Sequence, residues 1–234
     1  MTPAADSAPR PAAPAAAHRT RVWDLPTRLF HWVLAATVIG SIVTGLNGAM
    51  EWHFRLGYGV LALLLFRLVW GFVGGHWSRF GAFLYGPGSL LDYLRGRARP
   101  EHLIGHSPLG ALSVFAVLLL LAAQVATGLV ADDEIASAGP LARFVSGATS
   151  SLATGWHSAQ GKWLVIGLLV LHVLVVLIYA LTRRPPLVRP MISGDKQLPH
   201  PAPASRDDLG SRLAALAVFA LCAGAAWWVA SLRA

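Results

Sequence analysis

Residues 156–181, WHSAQGKWLVIGLLVLHVLVVLIYAL, decide the fold. From Trp163 to Leu181 the stretch is apolar and about as long as the ~20 residues that cross a bilayer's hydrocarbon. It also carries two histidines, His157 and His172. An ionisable side chain in or at the edge of a span is costly, and is kept there for function. Fifteen positions along an α-helix are about 22 Å, too far apart for the two rings to share one metal ion. They suit two cofactors, one near each membrane surface. Fifteen steps overshoot four turns by ~60°, so the rings point only roughly to one side. A local irregularity in the helix would absorb that offset.

Working outward, the apolar runs 29–46, 54–73, 109–130 and 213–232 join 163–181 to make five spans, and the fourth may be extended back to about Trp156. The chain is 55% hydrophobic and 13% charged, too apolar for an ordinary soluble domain of its length. The formal charge of +8 lies between apolar runs rather than on one basic face, which speaks against nucleic acid. Arg10, Arg19, Arg21 and Arg28 precede span one. Arg79, Arg95, Arg97 and Arg99 lie between spans two and three, and Arg183, Arg184, Arg189 and Lys196 follow span four. The other loops are short (47–53) or acidic (131–156, with Asp132, Asp133 and Glu134). The positive-inside rule then puts the N-terminus in the cytoplasm and the C-terminus, after Trp227 and Trp228, outside.

Cys222 stands alone, so an internal disulfide or a cysteine-held iron–sulfur or zinc centre is ruled out. The first apolar run is too long for a signal-peptide core and lacks a small-residue cleavage site. Residues 1–20 read as a disordered tail rich in Ala and Pro, 77–99 as a connection with a short interfacial helix, and 183–209 as a Pro-rich cytoplasmic linker. The expected fold is all-α: an integral membrane bundle with a four-helix unit over 21–182 and a fifth transmembrane helix, 210–234, appended to it.

Depth pairs the histidines. His53 opens span two on the outer side, level with His157 where span four begins, and His31 lies near the cytoplasmic side, level with His172. His18, His76, His102 and His200 read as loop residues, and His106 sits at the start of span three. Two bis-histidine sites inside a bundle suit haem, whose iron takes two axial imidazoles. A flat macrocycle needs small neighbours. Gly57 and Gly161 each follow an outer histidine by four residues on the same face, and Gly45 lies at the outer level of span one. Close helix packing is the other use of such glycines. Arg67, fourteen residues below His53, is placed to neutralise a haem propionate or face a quinone, or else to snorkel.

The stretches VWDLPTRLFHW (22–32), FRLVWGFVG (66–74), GHSPLGAL (105–112), ADDEIASAGPL (131–141), HSAQGKWLVIGLLVLHV (157–173) and LVRPMISGDK (187–196) together resemble the bacterial cytochrome b561 and nickel–iron hydrogenase b-type cytochrome family. The gamma subunit of membrane formate dehydrogenase looks like a more distant relative. The resemblance covers about residues 20–197. It implies two haem b groups held by His31, His53, His157 and His172, in a bacterial inner membrane. It also implies a periplasmic redox partner on the side of the 131–136 segment, and an exchangeable quinone near the inner haem with His106 and Ser107 as contacts.

The expected function is electron transfer across the membrane between a hydrogenase, dehydrogenase or c-type cytochrome and the quinone pool. The chain would then be a subunit of an oxidoreductase complex. A stand-alone oxidoreductase, such as a superoxide oxidase that reduces quinone, is the alternative. A histidine-based metal or proton transporter would want paired Gly/Pro-interrupted spans, which the sequence lacks. A homo-oligomer is left open.

Overall fold

The computed structural model describes residues 18–182 and 187–233. Residues 1–17 of the tail and 183–186 of the linker lie outside the described residues. Among the described residues five helices are long and apolar enough to cross a membrane: α1 Leu25–Leu46, α2 Met50–Val73, α4 Pro108–Val130, the continuous helix Gly147–Leu181, and α8 Leu209–Ser231. The short helix α3, Pro87–Leu94, lies in the connection between α2 and α4, where the sequence predicts an interfacial helix.

Helix starts follow local chemistry. Asp24 caps α1 by accepting from the Thr27 amide at 2.8 Å, with Pro26 in the first turn, where its missing N–H costs nothing. Ser107 caps α4 and Asp208 caps α8 in the same way. The α1–α2 turn is closed by Gly48, whose φ of +71° suits a residue without a β-carbon. The central core is Leu34 and Val38 of α1, Val60 and Leu63 of α2, Leu121 of α4, and Val165 of the fourth span.

The fourth span is longer than its apolar run predicts. It is α-helical over α5, Gly147–Gly155, forms a π turn over Trp156–Gly161, and continues as α6, Lys162–Leu181. Its 35 residues reach about 50 Å against a hydrocarbon core of about 30 Å, so α5 projects beyond the membrane.

Two connections read as unstructured are not so. His18–Arg21 of the tail form strand β1, paired antiparallel with β2, Asp195–Leu198, of the linker, with His18 opposite Leu198 and Arg21 opposite Asp195. Arg21 also binds Asp207 at 2.8 Å, and Asp207 accepts from the Leu25 amide and from Arg212. Ser205 donates its hydroxyl to the Val22 carbonyl and accepts from the Trp77 amide. The linker is thus tied along its length to the start of α1.

The fifth span is likewise no loose appendage. α8 packs against α2, joining Ala215 and Cys222 to Phe66 and Trp70 in one cluster, with Phe219 edge-on to Phe66 at 6.0 Å between ring centres. Pattern alone could not show this, because α8 carries no histidine and its apolar face looks the same toward lipid or protein. Asp207→Ala removes the shared anchor of three arginines and a backbone amide. Limited proteolysis is expected to cut residues 199–208 markedly faster in that variant, and equal cutting rates would contradict the strapped geometry.

Candidate functional site

The structure brings four of the predicted residues together in two pairs. The rings of His53 and His157 face each other at 5.8 Å between centres, 81° apart in plane. Those of His31 and His172 do so at 6.3 Å and 54°. Two imidazoles sharing one metal ion through bonds of about 2 Å have ring centres about 6 Å apart. Both pairs therefore have the spacing of a bis-histidine site, one at each end of the bundle.

At the His53 end the ring orientations are fixed by the backbone. His53 Nδ1 lies 2.8 Å from the Ser41 carbonyl, and His157 Nδ1 lies 2.8 Å from the Gln124 carbonyl. A carbonyl only accepts, so in each ring Nδ1 carries the hydrogen and Nε2 keeps its lone pair for a metal. Such a bond on the far nitrogen is the usual second support of a metal-binding histidine. Gln124 closes the contact from its other end, its side-chain Nε2 donating to the His157 carbonyl at 2.8 Å. That amide enters the backbone ladder where the π turn loosens it.

The π turn also bears on the ring directions. A fully inserted residue turns fifteen α-helical steps into fourteen, changing an offset of about +60° to about −40°. His157 is the second residue of the turn, so its direction relative to His172 falls between those limits.

Glycines make room for these rings. A β-carbon on Gly45 would come within 3.0 Å of His53 Nδ1, and one on Gly128 within 2.7 Å of His157 Cε1. Gly57 faces open space, as a neighbouring macrocycle requires. Gly161 is buried against Gln124 and Trp156, so the structure gives it a packing role. Gln124 and Gly128 were not singled out from the sequence. The signal was present: a lone amide side chain in an otherwise apolar span, four residues from a glycine on the same face.

At the His31 end the surroundings are richer in charge. Arg67 is buried on α2, with its guanidinium over the Phe80 ring at 4.6 Å. One of its terminal nitrogens is sealed from solvent without a partner, and so is His31 Nδ1. Snorkelling is therefore not what Arg67 does. His106 is packed between Trp23 and Phe83, at 4.6 and 4.4 Å between ring centres. Burial, helped by the nearby charges of Arg67 and Lys196, lowers its pKa to about 3, so the ring is neutral at ordinary pH. Its Nδ1 is also buried and unpartnered. Ser107 serves as the cap of α4, accepting from the Gly110 amide at 3.2 Å.

The other histidines have structural settings. His102 is buried and its ring accepts from the Arg99 amide at 3.2 Å, which corrects its reading as a solvated loop residue. His18 belongs to β1. Among the described residues no group of three or more metal-ligating side chains occurs.

Comparison with known proteins follows the same residues. The description of prokaryotic cytochrome b561 matches residues 22–194. The chain belongs to this family. It is accordingly a multi-pass membrane b-type cytochrome, a haem b protein that works in electron transfer. It is 26% identical over 213 residues to a "Probable Ni/Fe-hydrogenase B-type cytochrome subunit" of Bradyrhizobium diazoefficiens, covering 75% of this chain and 85% of the relative. A protein of the same description from Cupriavidus necator is 26% identical over 210 residues, covering 75% and 86%. The "Probable Ni/Fe-hydrogenase 1 B-type cytochrome subunit" of Escherichia coli is 25% identical over 210 residues, covering 74% and 88%. No solved structure matches the chain.

The residues present fit a haem held by two imidazoles: unencumbered Nε2 atoms at the His53 end, glycines against both rings there, open space at Gly57, and an unpaired buried guanidinium at the other end. Gln124→Leu keeps both histidines but removes the amide that locks His157. It is expected to weaken haem retention at the His53–His157 pair about tenfold or more and to shift that component's potential. Unchanged potential and retention would show that the contact is only packing.

Proposed function

We propose that the chain carries electrons across a bacterial inner membrane between two haem b groups, one held by His53 and His157 and the other by His31 and His172. The observation that carries this reading is the pair of opposed histidine couples at the two ends of the bundle. Haem b supplies one-electron redox chemistry at each site. The protein contributes imidazoles with their lone pairs directed, apolar surroundings that exclude water, and fixed charge at one end.

Each end has a separate task in this reading. At the His31 end, Arg67 offers a cationic fork to a haem propionate, and neutral His106 can exchange a hydrogen bond with a quinone oxygen. The Arg-rich loops support a cytoplasmic position for this end. At the other end the acidic 132–134 segment meets an external redox protein. The relatives' description as hydrogenase subunits supports a partner enzyme of that kind. The chain would then be one subunit of an oxidoreductase complex.

Haem-to-protein stoichiometry with reduced-minus-oxidised spectra tests the reading. Two haems per chain are expected, with distinguishable spectral components, and one or none would overturn it. Quinone reduction by the isolated chain with no other protein present would favour the stand-alone oxidoreductase instead.

A further inference from the structure

α1, α2 and α8 leave a groove of about 370 Å³ on the outside of the bundle, reaching from Val33, two residues from His31, to Arg55, two residues from His53. Buried Ala62 and Leu63 lie among its lining, with Val33 and Thr37 on the α1 side and Ala223 and Trp227 on the α8 side. Along α8 it runs from Phe219 to Ala230, about 16 Å, or half the ~30 Å hydrocarbon core.

Its far end has a different chemistry. Arg55 lines it there, beside Tyr58, whose hydroxyl is buried without a hydrogen-bond partner. Arg233, at the end of α8, lies over the Phe54 ring at 3.9 Å and near enough to Tyr58 to act on it electrostatically. Arg55 pairs with exposed Glu51 one turn away. Arg233 has no carboxylate partner among the described residues, although Asp132 and Glu134 line a neighbouring cavity with it.

We infer that this groove binds an anionic phospholipid, with an acyl chain along the apolar wall and the phosphate between Arg55 and Arg233, accepting also from the Tyr58 hydroxyl. Guanidinium groups match phosphate oxygens in both charge and shape. A quinone head is uncharged and would leave Arg233 without an anion. A second copy of the chain meeting this face about a two-fold axis would set groove against groove and fill neither. A lipid seated here touches both α2 and α8, so it would also hold the last helix to the bundle.

The test uses the purified, haem-loaded full chain, incubated with phosphatidylglycerol and phosphatidylcholine of identical chains and examined by native mass spectrometry. The chain is expected to retain phosphatidylglycerol preferentially. Arg55→Gln and Arg233→Gln should each reduce that preference about fivefold, and Ala223→Leu, which fills the groove, should lower retention of both lipids. An unchanged haem spectrum reports that each variant is folded and keeps this test separate from the fate of the electron-transfer reading. Undiminished preference in the double arginine variant would overturn the inference. So would retention of a quinone in place of phospholipid, or a dimer that Ala223→Leu abolishes.

Discussion

Replacing His53 or His157 with alanine is expected to remove the same one of two haems, leaving roughly half the haem per chain and one spectral component. Replacing His31 or His172 should remove the other. In the proposed arrangement each site would rest on two axial imidazoles. At the first, each ring is held by a backbone carbonyl of its own, so the remaining histidine stays directed at one side of the site. The nearest other predicted ligand of the same kind lies at the opposite end of the bundle, about 20 Å away along the helix. Haem stoichiometry and difference spectra of the four variants decide the matter. If His31 and His53 variants lost the same component, or if all four lost both while the protein remained folded, the two-pair arrangement would be refuted.

Asp24→Ala should be the most damaging substitution away from the histidines. Asp24 is fully buried, and its carboxylate accepts from the Thr27 amide, the Gly75 amide and the Ser78 hydroxyl at 2.8 to 2.9 Å. Trp70 Nε1 lies at 3.4 Å from both oxygens. One residue thus caps α1, fixes the end of α2 and anchors the loop that follows. Truncation leaves these donors buried and unmatched, each costing about 1 to 3 kcal/mol, in addition to the lost cap. It also removes the nearest negative charge to Arg67. A destabilisation of at least about 3 kcal/mol is expected, read as a lower thermal midpoint together with earlier release of the His31–His172 component on heating. Asp24→Asn keeps the shape and some acceptor capacity and should fall between. A midpoint within a degree of the unsubstituted chain would show that the network carries no load.

The spans and the histidine pairs were legible because both depend on distance along a regular helix. Hydropathy marks the crossings, and position within a crossing gives depth, so His53 can be matched with His157 before any contact is known. The cap over the His31 end was not legible in this way. Asp24 was not singled out from the sequence, and only the fold shows that the oxygens capping α1 also reach Gly75 and Ser78, some fifty residues on. β1 and β2 are separated by the four transmembrane crossings before α8, and neither segment has the alternating pattern of a half-buried strand. The Pro-rich stretch misled for a related reason: composition reports what a segment lacks, whereas Ser205 and Asp207 are ordered by partners supplied from α1 and the α2–α3 loop. Gly128 shows the finer limit, since a helical glycine has many uses and only the His157 ring against it tells which applies.

The π turn at Trp156–Gly161 bears on how this helix tolerates insertion and deletion. One residue more than the α-helical ladder needs is stored between Gly155 and Lys162. Shortening the segment by a single residue, at Ser158 or Ala159, would let it relax into ordinary helix without breaking the span. The helices on either side would keep their relative direction, because fifteen residues that already span fourteen steps would become fourteen. The effect would be local: His157, inside the turn, would move to the fourteen-step limit, straining its contacts with His53 and the Gln124 carbonyl. A deletion in the regular ladder beyond the turn, between Lys162 and His172, has no stored residue to absorb it and would swing one histidine by about 100° relative to the other, so a gap is tolerated within the turn and not beyond it.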